Sequence, residues 1–212
     1  MAETEPPGAP EGSRLGPDER RDQILACARR LFSEHGIDGV SNADVARAAG
    51  VSRALLNHYF GSRRELYREV VRRMMDVPPV PVPEYVPGAS VEDRVAQSLD
   101  GWLELLSRNR SIWLDAIGIA GCGGDEELEA IIDQARDRAV NRAVEVTGLG
   151  PVVRAHPEIH AVLRGFSGMA EATTREWLRH GRLTRKQVHT LLEHTLLTII
   201  RDVVPEVTAL GE

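Results

Sequence analysis

Lysine is almost missing from this chain. Of 26 basic side chains only Lys186 is a lysine, and a skew so complete reads as a coding bias, so arginine in place of lysine carries no weight at a given site. Cysteine is scarce as well: Cys27 and Cys122 cannot make a disulfide framework, and Cys27 falls on an apolar helical stripe as a small hydrophobe would, which fits a reducing cytoplasm. No apolar run approaches the roughly 18 residues of a membrane-spanning helix. No stretch alternates strictly between apolar and polar residues, so no strand is expected and the fold class reads as all-α. The opening M-A-E-T-E-P-P-G-A-P-E-G-S is acidic and rich in proline and glycine where a signal peptide would be basic and then apolar. Export is therefore not expected, and residues 1–13 read as a solvated, disordered tail.

What the chain does have is enough apolar residue, 42% against 27% charged, to bury a core in its 212 residues. Its formal charge of -6 argues against a general nucleic-acid coat, but that charge is unevenly spread. Between Arg14 and Asp76 twelve arginines face nine acids, a local +3, while the tail carries Glu3, Glu5 and Glu11 and the remainder is left at -6.

Proline marks the boundaries, because inside a helix it costs about 3 kcal/mol. The densest cluster, V-P-P-V-P-V-P-E-Y-V-P-G, cannot be a helix and makes a poor central strand, and it separates a unit over 14–76 from a larger one over 91–212 by a linker over 77–90. Ile24, Leu25, Ala28, Leu31 and Phe32 predict a helix ending at Gly36, and Leu66, Tyr67, Val70, Val71 and Met74 predict another. Beyond the linker the periodicity predicts helices through Val91–Leu106, Ile112–Ala120 and Leu128–Ala143. Two more are expected, from about Pro157 to His180 and from about Arg185 to Val203, the last stopping before Pro205.

Between the first of these helices and the linker lie two capping boxes, Ser41 with Asp44 and Ser62 with Glu65, each satisfying orphan amides at a helix start. Ala43, Val45, Ala46 and Ala49 then give a short helix, Gly50 a left-handed turn, and Ser52 the cap of a second short helix to Tyr59. With Val51 and Leu56 inward, Arg53, Asn57 and His58 are left to face a major groove. The residues alone fit either a helix-turn-helix or an ordinary αα-hairpin.

The string S-N-A-D-V-A-R-A-A-G-V-S-R-A-L-L-N-H-Y-F-G-S-R-R-E-L from Ser41 to Leu66 closely resembles the TetR family of transcriptional regulators. Its distinguishing parts are A-x-x-A-G-V-S from Ala46 to Ser52, the H-Y-F triplet from His58 to Phe60, and S-R-R-E-L. The resemblance covers about Pro17 to Met75; Asn57 stands where the family usually has an aromatic, and Ala54 where it often has glycine. It implies an N-terminal helix-turn-helix domain followed by a larger helical ligand-binding and dimerisation domain. It also implies a homodimer on a palindromic double-stranded operator, released by a small molecule. Ser41, Tyr59 and Arg63 match family positions that hold phosphates, which set register rather than base preference. Arg53 can fork onto guanine and Asn57 can pair with adenine, and Ser52, Ala54 and His58 complete the expected DNA-facing set.

Enzymatic readings lack their motifs. His156-Pro157-Glu158-Ile159-His160 is not H-E-x-x-H, and Pro157 puts His156 ahead of a helix. Gly165-Phe166-Ser167-Gly168-Met169 misses G-x-S-x-G and has no strand before it. Gly118, Gly121, Gly123 and Gly124 match no phosphate loop. No catalytic residue, metal or cofactor is therefore expected. A helical scaffold that binds only other proteins remains as the alternative to a DNA-binding regulator.

The larger unit is expected to do two things. On the helix from Pro157, Ile159, Val162, Phe166, Met169, Thr173 and Trp177 form one stripe, and Ala161, Gly165, Gly168 and Ala172 form a second, of small residues. The last helix is apolar over more than one face, more than a single internal contact needs. By family resemblance these helices pair with their symmetry mates, and Ala161, Gly165, Gly168, Ala172, Leu192, Leu196 and Ile199 are the expected dimer residues. A mostly apolar effector is expected between helices bearing Trp102, Trp113, Asp115, Ile117, Phe166, Met169 and Thr173, with Asp115 to orient it.

Overall fold

The structure, a computed structural model, describes residues 16–76 and 88–210. The expected tail over 1–13, and the Pro-rich linker as far as residue 87, lie outside the described residues. Among these residues there are eleven α-helices and no strand. The first four are α1 (Pro17–His35), α2 (Asn42–Ala48), α3 (Arg53–Phe60) and α4 (Arg63–Asp76). They are followed by α5 (Val91–Arg108), α6 (Arg110–Ala120), α7 (Glu126–Thr147), α8 (Gly150–Ala155), α9 (Glu158–Arg175), α10 (Arg185–Thr198) and α11 (Val204–Ala209).

The starts are fixed locally. Ser41, Ser52, Ser90, Asp125 and Thr184 each accept a backbone N–H from three residues on, satisfying donors that a helix start leaves open. The expected box at Ser62 is also formed, the Ser62 amide donating to Glu65 Oε2 at 2.6 Å and the Glu65 amide to Ser62 Oγ at 3.2 Å. Gly50 sits at φ +64°, the left-handed turn that lets α3 double back across α2.

Two apolar clusters hold the molecule together. The first joins α1–α4 to α6 and α7 around Ile24, Phe32, Leu56, Tyr67, Ile112 and Leu128, all fully buried. Within it the Phe32 and Tyr67 rings meet edge to face, 5.3 Å apart at 86°, a geometry that adds about 0.5–1.5 kcal/mol beyond area burial. The second joins α5, α9 and α10 around Leu103, Ile159, Leu163, Val188 and Leu192, and Trp102 and Trp177 pack against both.

Polar contacts tie the two units across this shared core. The Tyr67 hydroxyl donates to the Ile112 carbonyl at 2.8 Å; burial first, and then the Asp115 charge, push its ionisation far above the usual range, so it stays a donor. Arg29 Nε donates to Asn109 Oδ1 at 3.0 Å, and the Ile37 amide to Asp115 Oδ2 at 3.1 Å. Arg68 forks onto Asp125 at 2.9 and 3.1 Å and reaches Glu127, while Arg64 Nε lies 3.2 Å from Asp125.

The expected helices are present, with three corrections. The last does not stop before Pro205: α10 passes through a widened π turn, Ile199–Val203, directly into α11, whose first turn holds Pro205. A residue without an N–H is tolerated at a helix start, and the π turn is where the ladder re-phases to create one. The short α8 is not among the expected helices; its six residues are too few to show a period, although Pro151 lies in its first turn, where proline is pre-organised. On α9 the inward line is Ile159, Leu163, Ala170 and Thr174, so most of the expected stripe is half-buried on its flank, Val162, Phe166, Met169 and Thr173 on α9 and Trp177 in the π turn Glu176–His180 that continues it.

Candidate DNA-binding surface and effector cavity

The exposed face of α3 is made by Arg53, Ala54, Asn57 and His58, because Leu56 and Phe60 anchor the opposite face in the core. Ser52 caps the helix and is exposed beside them. Arg53 makes no ion pair among the described residues. Asn57 is held: its Oδ1 accepts from Asn42 Nδ2 at 3.0 Å, which ties the start of α2 to the middle of α3. Asn42 was not among the expected DNA-facing residues. Only its place directly after the Ser41 cap could have pointed to it.

The expected phosphate contacts sit around the same face. Tyr59 is half-buried, its ring 5.8 Å from that of His58 and 6.2 Å from that of Phe60. Arg63, at the start of α4, donates to the Val40 carbonyl at 3.3 Å and lies 3.7 Å from the exposed Asp38. The Ser41 hydroxyl is turned to Asp44 at 2.5 Å, and these hydrogen bonds hold the Asp44 carboxyl below its ordinary value. Ser41 is thus a helix cap first, and phosphate would have to compete with Asp44 for its proton.

A cavity of about 440 Å³ opens between α5, α6, α7 and α9. Four of the seven expected effector residues line it, Trp102, Trp113, Ile117 and Phe166. Asp115, Met169 and Thr173 do not. The Asp115 carboxylate instead accepts from Ile37 and comes so near the Gly36 turn, at φ +70°, that a Cβ there would meet it at 3.1 Å. Asp115 therefore belongs to the contact with α1, and the Thr173 hydroxyl is spent on the Met169 carbonyl of its own helix at 2.9 Å. The wall also holds groups that the sequence did not single out: Met75 and Asp76 from the end of α4, and Arg136, Arg142 and Glu171.

The expected dimer residues divide into three sets. Ala161, Gly165, Gly168 and Ala172 are all exposed, in one line along α9. Leu192 and Leu196 are buried in the chain's own core at 0% and 4% exposure, so they cannot reach a partner; Leu191, one position earlier and 41% exposed, faces outward instead. Ile199 is half-buried.

The residues weighed for catalysis are otherwise employed. His156 lies between α8 and α9, Nδ1 3.3 Å from Glu158, and Ser167 donates to the Arg164 carbonyl at 2.8 Å. No metal-holding cluster occurs among the described residues. No helix among them is long and apolar enough to cross a membrane.

Residues 24–70 match the sequence profile described as "Bacterial regulatory proteins, tetR family". The chain is 43% identical over 56 residues to the HTH-type transcriptional regulator BetI of Agrobacterium fabrum, covering 26% of this chain and 27% of BetI. It is 39% identical over 69 residues to the HTH-type transcriptional activator FasR of Mycolicibacterium smegmatis, 32% of each. These two matches therefore span only about a quarter to a third of the relatives' length. A longer match, 30% identical over 155 residues and 72% of each chain, is to the HTH-type transcriptional repressor BdcR of Escherichia coli. A solved TetR-family structure from Streptomyces coelicolor superimposes with a TM-score of 0.75 over 92% of this chain and 90% of that one, at 24% identity, and shares the fold. Profile, long match and helix-turn-helix geometry agree: this chain belongs to the TetR family of transcriptional regulators.

Proposed function

We propose that the protein is a repressor that binds an inverted-repeat operator as a homodimer and releases it when a mostly apolar molecule fills the cavity. The observation that carries this reading is the reach of α4. Its first residue, Arg63, stands on the DNA-facing side, and its last two described residues, Met75 and Asp76, line the cavity. A helix of 14 residues is about 21 Å long, so one rigid rod touches both sites. A ligand that prefers one position of α4 changes DNA affinity by its differential affinity for the two positions. The exposed small-residue line on α9 supports the dimer, since small side chains let two helices approach closely. The relative matched over most of its length is named a repressor, which supports the sign of regulation.

The test is selection of bound duplexes from a random pool, followed by gel shift on the recovered sequence. An inverted repeat is expected, with affinity falling steeply as salt rises. Arg53→Ala or Asn57→Ala should relax preference at particular base pairs by about 1–3 kcal/mol. Tyr59→Phe or Arg63→Ala should weaken binding to all sequences alike. Equal affinity for the selected site and random duplex would overturn the reading.

A further inference from the structure

The cavity wall is apolar except for a few charged groups, and the bookkeeping of their hydrogen bonds is one-sided. Of the three carboxylates in the wall, two are already engaged, and the third, Glu145, is 70% exposed. Glu171 accepts from Arg136 at 2.7 and 3.1 Å through one oxygen and from Arg175 at 2.8 Å through the other. Asp76 is paired with Arg138 at 3.2 Å. What is left over is donor capacity. Arg142 lines the cavity with its side chain 19% exposed, and its Nε is buried with no hydrogen-bond partner among the described residues. Its one ion pair is a loose contact of 3.7 Å with Glu145, which is 70% exposed. A pair so open to water contributes little, whereas a buried guanidinium N–H left without an acceptor costs more than an average hydrogen bond returns.

A second donor lies at the same level. Arg94 on α5 donates to the Val146 carbonyl on α7 at 2.9 Å, which sets the start of α5 beside the end of α7. One turn further along α5 is Ser98, and one turn back along α7 is Arg142; both line the cavity. Below them the wall is Trp102, Leu99, Phe166 and Val140.

We infer that the effector is an amphipathic monocarboxylate, its carboxylate accepting from Arg142 and Ser98 and its apolar body lying against the tryptophans. This inference rests on the effector-cavity reading above and adds the chemical class of the ligand. A cation is disfavoured by the same bookkeeping, since Glu171 and Asp76 are engaged by arginines and Glu145 is open to water beside the Arg142 charge. A wholly neutral hydrocarbon would leave the Arg142 Nε as it is. Charge-assisted hydrogen bonds are about twice as strong as neutral ones, so the acid should outbind its uncharged counterpart.

The experiment uses the full chain and its own tryptophan emission, since all three tryptophans, Trp102, Trp113 and Trp177, lie beyond the linker. The probes are decanoate and decan-1-ol, matched in chain length and different in the head. Decanoate should bind the wild type about tenfold or more tightly than decan-1-ol, as expected of a hydrogen bond to a charged group. In Arg142→Gln that preference should vanish while decan-1-ol binds as before, which also shows that the variant is folded. Ser98→Ala should reduce the preference without removing it. Equal binding of acid and alcohol by the wild type, or a preference that survives Arg142→Gln, overturns the carboxylate assignment and leaves the cavity reading standing. If neither probe perturbs the emission, the cavity reading falls with it.

Discussion

A Gly168→Arg chain is expected to fold as the wild type does, to run as a monomer in sedimentation, and to bind operator about 10²–10⁴-fold more weakly, the range by which linked half-site binding exceeds a single module. The size of the effect follows from where Gly168 lies. A Cβ built on it meets nothing within 4 Å, and the same holds for Gly165. Within one chain, then, the substitution clashes with nothing and even relieves the roughly 0.5–1 kcal/mol cost of glycine inside a helix. If the exposed line of Ala161, Gly165, Gly168 and Ala172 packs against its symmetry mate, the arginine falls in the middle of that contact, where neither its bulk nor its charge has a place. Gly165→Arg should behave alike. Dimeric mass and unchanged operator affinity in both variants would move the interface elsewhere on the surface. Leu196→Arg would not discriminate, because Leu196 is buried in the chain's own core and its loss would unfold the monomer as readily as the dimer.

Asp125→Ala should destabilise the protein by about 3 kcal/mol, as breaking a buried ion pair and losing a helix cap do. In thermal unfolding that is roughly 6–12 °C for a chain of this size. Asp125 has three roles at once: it caps α7 through the Leu128 amide, receives the Arg68 fork, and faces Arg64, with only 1% of its side chain exposed. Burial alone would raise its carboxyl; the Arg68 hydrogen bonds, the Leu128 amide and the arginine charges outweigh that and hold it below the ordinary aspartate value. A carboxyl depressed in the folded state contributes its full stability above the unfolded value, about pH 4, and loses it as pH falls through the folded one. The gap between wild type and Asp125→Ala should therefore be constant near neutrality and narrow below about pH 4. Asp125→Asn keeps a capping oxygen and should cost less than Asp125→Ala. A loss within about 0.5 kcal/mol, the usual range of surface substitutions, would mean that the arginines find water as good a partner.

The parts of this molecule that could be read from its sequence are those whose cause is local. Ser41 with Asp44, Gly50, Ser52, and Ser62 with Glu65 each specify a cap or a turn within four residues, and the helix-turn-helix follows from them in order. Buried faces built from a clear period, such as Leu66, Tyr67, Val70, Val71 and Met74, could be read as well. The phase of a helix that is apolar nearly all round could not. One position is 100° of rotation, and that separates buried Leu192 from exposed Leu191 and places Leu163 rather than Val162 inward on α9. The charged groups of the cavity were hidden for a different reason. On α7, Arg136 and Arg142 look like the solvated face of an amphipathic helix, and only packing against α5 and α9 turns that face into a wall. The role of Asp115 is not legible in the sequence because its partner is a backbone amide, Ile37, 78 positions away, and no side-chain pattern records such a bond. The π turn before Pro205 likewise belongs to the packed helix and not to any residue type.

The seam between the two units bears on how such regulators can be rebuilt. Most of its receptors, Asn109, Asp115, Asp125 and Glu127, lie beyond residue 76, outside the segment that carries the family motif, while their partners Arg29, Ile37 and Arg68 lie inside it; the Arg138–Asp76 pair runs the other way. A chimera that grafts residues 16–76 onto a foreign sensor would thus bring donors without acceptors, and a Tyr67 hydroxyl with no Ile112 carbonyl to meet it. Reading heads of this kind are not interchangeable cartridges. Transplanting one would require moving the receiving residues along with it, four side chains and one carbonyl, before any operator specificity could be exchanged.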